Sequence, residues 1–214
     1  MRLLPLLLLA GLGLAGCSSV YYGTMEKLGI PKRSILIDRV QEARGAQEEA
    51  RQQFASALEQ FLSVTRVPVS ELQSAYDKLN EEFKRSESRA QEVRDRIAAI
   101  DDVAQALFKE WNAELGQYTN ANLRTQSANQ LSATKQRYAS LLRVMEQAAA
   151  RMDPVLAAFR DQTLYLKHNL NARAVAALDG TARDLQQDIS RLMADMEKSI
   201  KEADAFIASM QAMN

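Results

Sequence analysis

The sequence predicts an all-α protein, an elongated antiparallel bundle of about four long helices with coiled-coil packing. Three observations predict it. Gly and Pro number only 8 and 4 in 214 residues, too few to punctuate a many-stranded β-fold. The bulk of the chain is Ala, Leu, Glu, Gln, Lys and Arg, the residues that lose least on entering a helix. From residue 31 onward apolar side chains recur at intervals of three and four, the period of a helix that buries one stripe.

The elements follow in chain order. Residues 1–16 combine one early positive charge, Arg2, with a Leu-rich run that is short for a membrane span and reads as a secretory signal. It ends in Leu14-Ala15-Gly16-Cys17, which resembles the lipobox of bacterial lipoproteins. That resemblance implies cleavage between Gly16 and Cys17, a diacylglyceryl thioether on Cys17 and acylation of the new N-terminus. Cys17 is the sole cysteine, so no internal disulfide can form. Ser18 follows it, and by resemblance to known sorting this favours the inner leaflet of the outer membrane, with the protein facing the periplasm. Residues 17–30, with Gly23 and Gly29, read as the lipidated cysteine and a tether holding the folded part off the bilayer. Tyr21 and Tyr22 suit either the lipid interface or the flank of the bundle.

Residues 31–214 form the helical domain. Its first segment carries Val40, Gln47, Phe54 and Phe61 in one heptad row and Ala43, Ala50, Ala57 and Val64 in the companion row, an a/d seam. Pro31 suits the first turn and Pro68 stops the segment. Ser70 with Gln73 has the spacing of a capping box for the second helix. That helix repeats Tyr76, Phe83, Ala90, Ile97, Ala104, Trp111 and Tyr118 against Leu72, Leu79, Ser86, Val93, Ile100 and Leu107. Over 70–118 it would run about 70 Å.

A turn at 119–122 leads to a third segment repeating Leu131, Tyr138, Met145, Met152, Phe159 and Leu166. Its register survives Pro154, which favours a kink over a stop and restart at Asp153. Asp179-Gly180-Thr181 is expected to end it, with Gly180 as C-cap. The last helix presents Leu185, Ile189, Leu192, Met196, Ala203, Ile207 and Met210 on one face.

Chemistry-bearing patterns are sparse. With 27 Lys+Arg against 27 Asp+Glu, the chain lacks the basic excess of a generic nucleic-acid binder, so no nucleic-acid partner is expected. One histidine and one cysteine fall short of the three or four soft or imidazole ligands of a zinc or haem site; no metal, cofactor or catalytic residue is expected. The doublet Asp101-Asp102 points its carboxylates in different directions along a helix and makes no catalytic dyad. Glu92 with Arg96 fits a solvated helix face. Met193, Met196, Met210 and Met213 read as core filler rather than a soft-metal surface. The most polar stretch inside the third segment contains Gln162, His168, Asn169, Asn171 and Arg173. Gln162 and Asn169 continue a seam row there as register-setting amides, and together these five residues form a candidate partner surface.

Lys32 to Phe61 and Met152 to Leu178, together with Glu202 to Ile207, resemble an uncharacterised family of Gram-negative coiled-coil lipoproteins, domain of unknown function 2959. The resemblance implies a helical exported protein and carries no catalytic residues. The expected role is non-enzymatic: a lipid-anchored periplasmic scaffold or interaction protein of the envelope, attached to the membrane by its N-terminus and meeting an envelope protein or a second copy of itself. Two alternatives compete with it. One is a bundle that holds a lipid or other apolar ligand between Met and Ala side chains; the other, disfavoured by charge and export, is a DNA-associated coiled coil.

Overall fold

A computed structural model describes residues 21–22, 24–25 and 28–212. The signal segment, the Gly16–Cys17 junction and Met213 lie outside the described residues. Four helices account for most of the rest: α1 (Lys32–Val64), α2 (Leu72–Glu114), α3 (Ala121–His168) and α4 (Ala172–Gln211). Short 3-10 turns at Val69–Glu71 and Leu115–Gln117 flank α2. At 1.5 Å per residue, α1 is about 50 Å long and α3 about 72 Å.

The order of cross-helix partners shows that each neighbour runs antiparallel to the next. Along α1 to α2 the pairs are Glu42 with Arg96, Glu49 with Arg89, and Gln53 with Glu82. Along α2 to α3 they are Trp111 with Ser127, Asp101 with Tyr138, and Glu87 with Arg160. Arg151 meets Asp195 between α3 and α4, and Arg44 meets Asp204 between α1 and α4. The four helices therefore close a ring around one core that extends from Tyr22 to Met210.

The heptad rows place the core well. Val40, Phe54, Phe61, Leu79, Val93, Ile100, Met145, Met152, Phe159 and Met196 are all fully buried, and an amphipathic stripe has no other means of leaving water. Outside the core, Arg39, Glu42, Arg96, Glu92, Arg89 and Glu49 form an alternating chain of ion pairs across α1 and α2. Such exposed pairs hold partner choice and register more than they add stability.

Several boundaries differ from expectation. Pro31 occupies the N-cap position of α1, one residue ahead of the first turn. Ser70 does not cap α2; the chain enters through the 3-10 turn, in which the Glu71 N–H donates to the Pro68 carbonyl at 2.9 Å. Helix α3 runs unbroken through Pro154. That residue is on the solvent face, where water can take the carbonyl its ring leaves unpaired. Asp153, the cap that a restart would need, forms an ion pair with Arg94 of α2 instead.

The larger correction concerns the third turn. The helix breaks at residues 169–171, and Gly180 lies inside α4. The Asn171 side chain accepts from the N–H groups of Arg173 and Ala174 at 3.0 and 3.1 Å, satisfying donors that a helix start leaves orphaned. Asn120 does the same for α3, accepting from Asn122 and Leu123 at 2.9 and 3.2 Å.

One layer of the core stands apart. Gln47 on α1 and Ser199 on α4 are both fully buried, and their side-chain polar atoms have no hydrogen-bond partner. The Arg44–Asp204 pair puts them at about the same level of the bundle. Ala43, Ala50, Ala90, Ala148 and Ala203 are also fully buried. A buried polar group without a partner costs about 1–3 kcal/mol, so this layer weakens the middle of the rod.

Candidate functional site at the two ends of the bundle

Among the described residues the sides of the rod are charged and carry its ion pairs, and the exposed large apolar side chains sit elsewhere. Tyr21, Leu28, Ile30, Tyr118 and Leu123 mark the end where α2 turns into α3 and the chain enters α1. Val69, Leu164 and Tyr165 mark the opposite end. Leu28 is 70% exposed and Leu123 50%, Val69 and Leu164 each 53%. Single exposed apolar residues need no explanation, but their segregation to two ends does. We call these the proximal and distal ends.

At the proximal end residues 21–22 and 24–25 are helical and do not run free as a tether. Tyr22 is buried, and its hydroxyl donates to Asp102 of α2 at 2.7 Å. Tyr21 stacks edge-on against Tyr22, with ring centroids 5.3 Å apart. Met25 packs on the core. The chain then reverses into α1, and Gly29 alone among the described residues takes a positive φ, +78°, the backbone region that side-chain-bearing residues avoid. Of the two sequence readings for this tyrosine pair, the structure places Tyr22 on the bundle flank.

Below this clasp, Lys32 pairs with Glu110, and the Arg33 guanidinium lies 5.6 Å over the Trp111 ring. The Trp111 indole donates to Ser127 of α3 at 2.8 Å. Tyr138 donates to Asp101 at 2.6 Å and meets Phe108 edge-on at 5.4 Å. The two adjacent aspartates thus serve different helix interfaces, each accepting one tyrosine hydroxyl. Burial, then the carboxylate beside it, pushes both tyrosines well above the ordinary phenol range, so both hydroxyls remain donors. A groove of about 540 Å³ opens here between Phe108, Lys109, Lys135 and Tyr138.

The distal end is built differently. A groove of about 450 Å³ runs along α1 and α4, lined by Leu58, Leu62, Val67 and Met193 with Glu59 and Arg66 at its edge. The five residues of the candidate partner surface belong to this end. Gln162 is half-buried and His168 is exposed as the last residue of α3. Asn169 is the C-cap, its amide donating to the Tyr165 carbonyl at 2.9 Å. Asn171 is the N-cap of α4 and Arg173 is exposed behind it. The stretch is therefore a turn whose asparagines satisfy helix ends, and Gln162 and Asn169 are not core amides. The core amide is Gln47, which stood in the α1 heptad row as the single polar member.

Met196 and Met210 are buried and Met193 half-buried, in keeping with core filling. Among the described residues no group of three His, Cys, Asp or Glu side chains is placed to hold a metal ion, and no helix is long and apolar enough to cross a membrane.

The family described as Protein of unknown function (DUF2959) matches residues 21–210. The chain belongs to this family. The matched span begins at Tyr21, so the family's unit takes in the proximal clasp along with all four helices. No curated protein and no solved structure matches the chain.

Proposed function

We propose that the protein is a non-enzymatic, lipid-anchored scaffold or spacer of the cell envelope, held by an acylated Cys17 in the inner leaflet of the outer membrane and reaching into the periplasm. The observation that carries this reading is the distribution of apolar surface: charged, paired flanks along the rod and exposed apolar side chains at both ends. A rod with this pattern works through its tips, one toward the anchor and one toward a partner. The partner is an envelope protein or a second copy of the chain, and the distal groove with Leu164 and Tyr165 is where it would sit.

Two measurements test the proposal. Labelling cells with a palmitate analogue should mark the protein, and Cys17→Ala should abolish the label and release the chain from the membrane. Photo-crosslinkers at Leu164 and His168 should capture a discrete envelope partner or a second copy, while one at Arg85 on the flank should not. An unlabelled Cys17, or equal capture from flank and distal end, would overturn the reading.

A second reading has its own observation. The distal groove is open and apolar enough for an acyl chain, so a bundle that binds a lipid or other apolar ligand competes with the scaffold. Native mass spectrometry of gently extracted protein separates the two: stoichiometric lipid favours the binding module, and a bare chain favours the scaffold.

A further inference from the structure

We infer that the proximal end of the bundle is seated in the headgroup region of a phospholipid bilayer, with Tyr21, Leu28, Ile30, Tyr118 and Leu123 against the lipid. The inference rests on the anchored reading above and follows from the length of chain left between anchor and fold. The sequence alone offers a tether of more than ten residues. The Tyr22 clasp shortens it: Tyr22 is buried and bonded to Asp102, so only five Cα-to-Cα steps separate a lipidated Cys17 from a fixed point on the bundle. Fully extended, these reach no more than about 18 Å.

The fixed point is not at the tip. From Asp102 to the Leu115–Gln117 turn, α2 continues for about 20 Å. A rod standing upright on its proximal end would therefore press the turn, with Tyr118 and Leu123 beside it, into the interface even with the tether stretched taut. A tilted rod lays down the flank carrying Tyr21, Leu28 and Ile30. Pointing the tip away from the membrane would drive the rest of α2, from Asp102 back to Leu72, about 45 Å toward the lipid. That flank is lined with ion pairs and has no place in hydrocarbon. Each permitted stance brings the proximal apolar residues to the bilayer.

The side chains present suit that surface. Tyrosines with an apolar ring and a polar tip collect at headgroup depth, and scattered leucines and isoleucines enter only the shallow interface. Residues 28–33 and 101–138 hold six cations, Lys32, Arg33, Lys109, Arg124, Lys135 and Arg137, against four carboxylates, Asp101, Asp102, Glu110 and Glu114. That local excess, in a chain that is neutral overall, complements anionic headgroups.

The test uses the acylated protein in vesicles of phosphatidylethanolamine and phosphatidylglycerol with brominated acyl chains. Environment-sensitive fluorophores are attached at Leu28→Cys, Leu123→Cys and, as the distal control, Leu164→Cys. The first two should shift to the blue and lose emission to the bromines, and the third should do neither. Hydrogen exchange on the unlabelled chain supplies a readout free of substitutions. Amides of 118–124 should exchange more slowly on vesicles than in the Cys17→Ser chain in solution, with those of 164–168 unchanged. Proximal probes that behave like the distal one, on a chain shown by mass to be acylated and bound, would overturn the seating alone. A Cys17 without acyl groups would overturn the anchor and the seating with it.

Discussion

The two ends of the bundle are fastened by different physics. At the proximal end, polar bonds join segments far apart in sequence: Tyr22 to Asp102, Tyr138 to Asp101, Trp111 to Ser127 and Lys32 to Glu110. Toward the distal end fewer polar bonds tie the helices, Arg160 to Glu87 and Gln53 to Glu82, and those of the turns stay within one helix, as in Ser63 to Gln60, Thr65 to Leu62, Asn169 to Tyr165 and Asn171 to its own helix start. The buried crossing between helices there is apolar, centred on Phe61 and Phe159, whose rings meet edge-on at 6.1 Å. Directional bonds fix a geometry, whereas apolar contacts tolerate small slides and rotations. The proximal end is thus the more rigidly fixed of the two, as the proposed anchored scaffold would require of its foot.

Removing the distal apolar bridge should have the largest effect. Phe159→Ala empties a fully buried site and should cost about 3–5 kcal/mol, read as a drop in the denaturation midpoint. Hydrogen exchange should accelerate first in residues 155–178 and leave the proximal turn protected. Equal loss at both ends would mean that the bundle opens as a single unit and the contrast is void.

Tyr138→Phe should cost less, about 1.5–3 kcal/mol, because it removes one bond to a charged acceptor from a part-buried site. The same bond sets a pH dependence. Tyr22 and Tyr138 hold their protons more tightly folded than unfolded. Their contribution is therefore complete below the unfolded phenol range, near pH 10, and is lost as pH rises above it. Alkaline titration of the wild type should loosen the proximal end ahead of the distal one, and the double variant Tyr22→Phe with Tyr138→Phe should flatten that slope.

Loss of the distal cap in Asn171→Ala should cost about 1 kcal/mol, confined to exchange in the first turns of α4. At the bottom of the scale, Arg44→Ala breaks an exposed pair with Asp204 and should change stability by no more than about 0.5 kcal/mol, less in high salt.

Most of the fold is readable from periodicity because a helix of this length has to bury its stripe, and Val40, Phe54, Leu79, Ile100, Met152 and Ile189 record where. The break at 169–171 is not readable that way. Leu166, Leu170, Ala174 and Leu178 keep a four-residue spacing straight across it, and periodicity reports which face is buried, not whether the backbone continues. The usable signal is an asparagine that can cap the helix after it, Asn171 ahead of α4 as Asn120 is ahead of α3, but the same Asn-Ala pair at Asn112 sits inside α2, so the dipeptide alone marks no break. Gly180 misleads because a glycine ends a helix only where φ turns positive, and here it does not. The candidate site is legible in part. Tyr21 and Tyr22 are conspicuous close behind Cys17, but that Tyr22 closes on Asp102 is a contact between residues 80 apart, which no local pattern encodes.

The buried, unpartnered Gln47 and Ser199 have a consequence for the molecule's dimensions. Sliding α1 by one heptad against α4 would bring Phe54 or Val40 to the level now held by Gln47 and would carry the amide toward the level of Leu192 or Phe206, both buried. As two polar side chains at one level of an apolar seam, Gln47 and Ser199 favour one register of α1 against α4 over its one-heptad neighbours. A single register would give the rod one fixed length, which is what the proposed spacer would need.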